Sequence, residues 1–110
     1  MSRIWDLEPA LLCTKHLAAE HRELHGVYAV ISQGKKGYSK HPETLRWIGK
    51  LGALKVRHDR LKDEMTARGW KHKTELNEVP SGERYEQNEM LITVDEQKEL
   101  LRSKGCLCRV

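Results

Sequence analysis

The stretch HLAAEHRELH, residues 16–25, places His16, Glu20, His21, Glu23 and His25 within ten positions. Its surroundings read as a helix. Pro9 suits a first turn, where its missing N–H costs nothing, and apolar residues recur at helical spacing to about Ile31. On a wheel of about 100° per residue, Leu12, Cys13, Leu17, Leu24, Val27, Tyr28, Val30 and Ile31 share an arc of roughly 160°. Thr14, Lys15, Ala18, His21, Arg22, His25 and Ala29 fall outside it. His16, Glu20 and Glu23 fall inside. A carboxylate on the apolar face loses hydration and needs a partner. Such groups gather at functional sites. They also serve as plain structural partners of an arginine or as caps of a neighbouring helix. The pattern leaves both readings open.

Outward from this helix the chain reads as all-α, a single small domain of three main helices around one core. A length of 110 residues leaves no room for a second core. Ser32–Lys40, SQGKKGYSK, reads as a loop. Pro42 opens a second helical stretch to Arg68, with a break expected near Gly49 or Gly52. Its buried stripe is expected to be Leu45, Ile48, Leu51, Leu54, Leu61 and Met65, with His58 filling the gap, and Gly69 is the expected C-cap. Residues 71–89 form a polar connection. The last helix runs from about Val94 to Lys104, with Thr93 and Glu96 as a capping box and Gly105 at its end. With no Phe in the chain, Trp5, Trp47 and Trp70 supply bulky packing. For Trp47 and Trp70 a core position is the better reading than a base-stacking platform.

The net charge of +4 fits a polyanionic partner, although many proteins share that balance. Three cysteines cannot pair completely and form no secreted-type framework, which points to a reducing cytoplasm. No signal region and no apolar run near ~18 residues is present, so a soluble protein away from membranes is expected. Metal-ligand patterns are weak. An inverted zinc-protease motif needs His-x-x-Glu-His, whereas His16, Glu20 and His21 have one residue too many between them. His21 and His25 could share a surface ion, but the sequence offers no evident third ligand. Cys106 and Cys108 lack a second cysteine pair. No metal and no cofactor are expected.

Met1-Ser2 is a pair from which the initiator methionine is normally removed. The α-amine of Ser2 would then titrate at about 7.7–8.0, or lower beside Arg3 and on partial burial. A neutral amine can attack an electrophilic sugar carbon and form an imine. This matters only where the chain end is held near an acid or base.

MSRI at the start, followed by H16-L-x-x-E20-x-R22-E23-L24, strongly resembles the pyrimidine-dimer DNA glycosylase/AP lyase family of the phage endonuclease V type, with the Ser2–Glu23 spacing matching without a gap. A second block, K50-L51-x-x-L54-x-x-R57 through R68-G69-W70, is similar to the long middle helix of that fold. The likeness is specific at the N-terminal block and loose beyond Trp70. It implies a DNA repair enzyme, a monomer acting on damaged double-stranded DNA. The amine of Ser2 would attack C1′ of the damaged nucleotide. Glu23 would stabilise the sugar cation and assist proton transfer in β-elimination. Arg3 and Arg22 would hold phosphates, and His16 would sit at the DNA surface. The family kinks the duplex and moves a base out of the stack.

Two departures stand out. Where the phage enzyme carries a further arginine three residues after the catalytic glutamate, this chain has Gly26. Where that enzyme ends in an aromatic and basic tail, this chain ends CLCRV. Lys98, Arg102, Lys104 and Arg109 remain available for phosphates. Lys35, Lys36 and Lys40 read first as a solvated loop and second as phosphate contacts. A cyclobutane pyrimidine dimer is the expected lesion. A glycosylase for another lesion, a non-catalytic DNA-binding module of the same fold, and a small helical protein with no nucleic-acid role are the alternatives.

Overall fold

The computed structural model describes residues 3–34, 41–71 and 75–110. Helices are the only regular secondary structure among them: α1 (Thr14–Gln33), α2 (Pro42–Leu45), α3 (Leu51–Ala67) and α4 (Val94–Ser103), preceded by a 3₁₀ turn, Pro9–Leu11. The all-α expectation holds, with three main helices. The first helix begins later than the pattern suggests. Leu12 and Cys13 are extended, with ψ of 139° and 166°, so Pro9 opens the 3₁₀ turn and Cys13 is the N-cap of α1.

The core lies between α1 and α3, which pack along their lengths. Leu17, Leu24, Val27 and Tyr28 from α1 meet Leu51, Leu54, Leu61 and Met65 from α3, with Trp5, Leu12, Trp47 and Leu101 closing the cluster. Trp47 is buried, and Trp70 packs against the core from its edge. Full burial of one such aliphatic side chain stabilises by about 1.5–3 kcal/mol, so this interface dominates cohesion.

The second helical stretch breaks at Gly49, whose φ of 77° favours glycine. Leu45 and Ile48 lie before the break and are 49% and 53% exposed. They therefore do not continue the α3 stripe, because the break rotates them away from the core. Lys50, the N-cap of α3, offers no side-chain cap. The 83–85 segment takes that role. Glu83 Oε1 accepts from Leu51 N–H at 3.2 Å, the Arg84 carbonyl accepts from Ala53 N–H at 2.9 Å, and Arg84 N–H donates to the Gly49 carbonyl at 2.9 Å. Gly52 allows the approach: a Cβ there would lie 2.6 Å from the Arg84 carbonyl oxygen.

The remaining termini follow local rules. Gly69 has φ 84°, and Trp70 N–H reaches the Met65 carbonyl while Gly69 N–H reaches that of Thr66, the two bonds of a Schellman motif. Thr93 and Glu96 form the reciprocal capping box of α4.

Candidate active-site groove

Residues 4–7 run without a strand partner, and side chains hold their backbone. Ile4 N–H donates to Glu43 Oε1 at 3.2 Å, and the Ile4 carbonyl accepts from Arg46 Nη2 at 2.8 Å. Asp6 N–H donates to Gln97 Oε1 at 2.8 Å, and the Asp6 carboxylate accepts from Gln97 Nε2 and Arg46 Nη1, each at 3.0 Å. The Leu7 carbonyl accepts from Arg57 Nη1 at 2.6 Å. Glu43, Arg46, Arg57 and Gln97 are all buried, as are Ile4, Trp5 and Leu7. Burying charges is costly unless they are paired and hydrogen-bonded. Here Arg46 pairs with Glu43 and Asp6, and Arg57 with Glu20. The lead segment is thus gripped by polar and apolar contacts together. Sequence reasoning missed Glu43, Arg46 and Gln97, whose partners lie 39 to 91 positions away.

Arg3, at the start of this segment, stands with its guanidinium 5.6 Å from the Trp5 ring centroid. The Trp5 ring meets His16 edge-on at 6.2 Å. All three line a groove of about 1390 Å³, walled on the far side by Leu100, Lys104–Leu107 and Arg109. Its acidic residues are committed: Glu64 to Arg68, at 2.8 Å, and Glu20 to Arg57. Arg3, Lys15, Lys104 and Arg109 line it with no ion pair among the described residues. The groove is therefore electropositive. Burial, together with the charges of Lys104 and Lys15, pushes the His16 imidazole below its ordinary value, so it is neutral at neutral pH.

The two α1 carboxylates separate in role. Glu20 is fully buried and bidentate with Arg57, at 2.6 and 3.0 Å. Burial raises its pKa, and the charge and hydrogen bonds of Arg57 oppose the rise. Glu20 belongs to the packing of α1 on α3. Glu23 is half-buried with Oε1 shielded from solvent, and it does not line the groove. Arg22 is exposed and does not line the groove. Lys98 is half-buried, and Arg102 is tied to Glu99 and to the Val110 carbonyl. Neither lines the groove. Ser2, Lys35, Lys36 and Lys40 lie outside the described residues.

His21 and His25 do not sit on a solvated face. Their Nε2 atoms are 3.1 Å apart, and the buried His58 of α3 packs beside them, tilted against His21 and edge-on to His25, with ring centroids at 5.3 and 5.0 Å. The third imidazole missing from the local sequence comes from the neighbouring helix. His58 Nδ1 donates to Asp59 Oδ1 at 3.0 Å. Burial pushes the Asp59 carboxyl up, but hydrogen bonds from His58 and Lys55 hold it below its ordinary value.

Against known families, the sequence model for pyrimidine dimer DNA glycosylases matches residues 2–78. The chain belongs to this family. The matched residues carry the anchored lead segment, α1, α2 and α3, and contribute Arg3, Lys15 and His16 to the groove. Family membership makes the general function that of a pyrimidine dimer DNA glycosylase, in DNA repair. The far wall of the groove, residues 100–109, lies beyond the match. No curated protein and no solved structure matches the chain. No described helix is long and apolar enough to cross a membrane.

Proposed function

We infer that the protein is a DNA glycosylase with AP lyase activity whose nucleophile is the α-amine of Ser2, acting on cyclobutane pyrimidine dimers in double-stranded DNA. The carrying observation is the grip on residues 4–7 at the edge of an electropositive groove. A nucleophile at a chain end gains from a fixed approach, because a freely swinging terminus would lose orientation entropy at every turnover. Buried ion pairs provide that fixity two residues downstream of Ser2.

The chemistry runs in two halves. The neutral amine attacks C1′, the bond from C1′ to the base nitrogen breaks, and the base departs with that electron pair. Opening of the sugar ring, with one of the two amine protons passing to O4′ as its hydroxyl, leaves a protonated imine between Ser2 and C1′. Glu23, as carboxylate, stabilises the cationic sugar. It then takes a C2′ proton, whose acidity the imine raises. The electron pair from C2′–H expels the 3′ phosphate, cutting the strand on the 3′ side. Water finally hydrolyses the imine and returns the amine. Arg3, which lines the groove, and Arg22, exposed on α1, hold phosphates near the lesion. The protein works as a monomer in the cytoplasm.

Borohydride trapping tests this reading. Processed protein incubated with abasic DNA and reductant should yield one covalent adduct through Ser2, located by peptide mass spectrometry. The adduct should vanish when Met1 is retained. DNA binding without an adduct would instead identify a non-catalytic module of the same fold. Incision of UV-irradiated against merely depurinated plasmid separates dimer cleavage from lyase action on any abasic site. Cutting of the depurinated plasmid alone would exclude the dimer as substrate.

A further inference from the structure

We propose that Cys13, His16, Cys106 and Cys108 form a Cys₃His site for one zinc ion, which fastens the C-terminal tail to the start of α1. The three cysteines are all that the chain contains, and they converge from opposite ends of it. Their Sγ atoms and a His16 ring nitrogen all lie within 4.8 Å of one another. His16 Nδ1 is 3.2 Å from Cys13 Sγ and 3.3 Å from Cys108 Sγ. A tetrahedral zinc with Zn–S of about 2.3 Å and Zn–N of about 2.0 Å has donor–donor edges of about 3.5–3.8 Å. The four donors already stand near that spacing. So compact a set suits a single ion and not a multi-iron cluster.

A backbone amide and a helix end face the sulfurs. Cys13 N–H points at Cys108 Sγ at 3.1 Å, the amide-to-sulfur contact that stabilises a ligating thiolate. Cys13 is also the N-cap of α1, where the helix dipole favours negative charge. Arg109 N–H donates to the Leu11 carbonyl at 2.7 Å, which brings the tail alongside the 3₁₀ turn. Beyond α4 the tail has no regular structure, and Leu107 is 89% exposed. Cys106, Cys108 and Val110 pack against the core from its edge, and a tetrahedral ion on the two cysteines would fasten the tail further, as in other small scaffolds.

The spacing explains why the sequence does not advertise the site. Cys13-x-x-His16 and Cys106-x-Cys108 are each half of a ligand set, separated by 89 residues. In this reading His16 is a ligand rather than a DNA contact. The ion holds the segment carrying Lys104 and Arg109 as one wall of the groove.

The test uses the full reduced chain. Zinc analysis should find one equivalent per chain. All three thiols should resist a thiol reagent until a chelator is added. Replacement with Co²⁺ should give thiolate-to-cobalt charge-transfer bands and the strong visible bands of a tetrahedral centre. Cys108→Ala should weaken zinc binding by at least about 100-fold. His16→Cys should keep the ion and shift the cobalt bands to those of four thiolates, which covers the case in which Cys108→Ala fails to fold. Reduced protein that binds neither Zn²⁺ nor Co²⁺ would overturn the proposal. So would a disulfide between two of the cysteines in protein prepared under reducing conditions. Cobalt bands that lack a charge-transfer component would also overturn it, since they would place the ion on His21, His25 and His58.

Discussion

Arg57 of α3 and Glu20 of α1 form a two-pronged ion pair across the main helix interface, Nε to Oε2 at 2.6 Å and Nη2 to Oε1 at 3.0 Å. The third prong of the guanidinium donates to the Leu7 carbonyl at 2.6 Å. One arginine thus links α1, α3 and the N-terminal lead. It also answers the question raised by the apolar face of α1: one of its two carboxylates is structural.

Removing one partner leaves the other as an uncompensated buried charge. Arg57→Met should therefore destabilise the protein by about 3–5 kcal/mol. The double variant Arg57→Met, Glu20→Gln should be far less destabilised than the sum of the singles. Urea denaturation of all four proteins measures this. Additive losses would mean that the two side chains do not act as a pair.

Glu23→Gln keeps the shape of the side chain and removes its charge. The expected result is unchanged thermal stability and near-unchanged DNA affinity, with glycosylase activity reduced by at least about 100-fold. Full activity in this variant would remove Glu23 from the reaction.

The groove predicts which cations meet phosphate. Arg3→Ala and Lys15→Ala should each flatten the slope of log affinity against log salt by about 0.9. Arg102→Ala should leave the slope alone, because its guanidinium is occupied by Glu99 and the Val110 carbonyl. Equal slopes for all three variants would place the DNA on another face.

Two glycines should respond oppositely. Gly52→Ala drives a Cβ to 2.6 Å from the Arg84 backbone oxygen, a contact no side-chain rotation relieves, and should cost about 1–3 kcal/mol. Gly26 lies inside α1, and a Cβ added there would meet no described atom within 4 Å. Gly26→Ala should therefore stabilise by about 0.5–1 kcal/mol. Melting temperatures that move the same way would contradict both assignments.

Acid sensitivity should trace in part to α4. The Thr93 backbone N–H and hydroxyl hold the Glu96 carboxyl below its ordinary value of 4.5. With the folded value depressed, its contribution is complete above that pH and is lost as pH falls through the lower folded value. Glu96→Gln should flatten the acid-side slope of stability, and at neutral pH it should cost less than Thr93→Ala, whose lost cap is worth about 1 kcal/mol. Stability curves across acid pH for the two variants decide it.

The amino-acid sequence alone determined the helices, most of their ends and the family. Gly69, Thr93 and Glu96 act within one turn of chain, and the apolar period from Leu17 to Val27 sets the buried face of α1 through helix geometry alone. The N-terminal motif is legible for the same reason, since its residues are close in sequence. Tertiary structure decided the rest. It turned Leu45 and Ile48 outward, because Gly49 breaks the period that would have carried them into the core. It gave Glu20 to Arg57, brought His58 to His21 and His25, and gathered Cys13 and His16 with Cys106 and Cys108. Helical periodicity fixes the direction in which a side chain leaves its own helix. What it meets there depends on how helices distant in sequence pack, and that is set by the whole core at once.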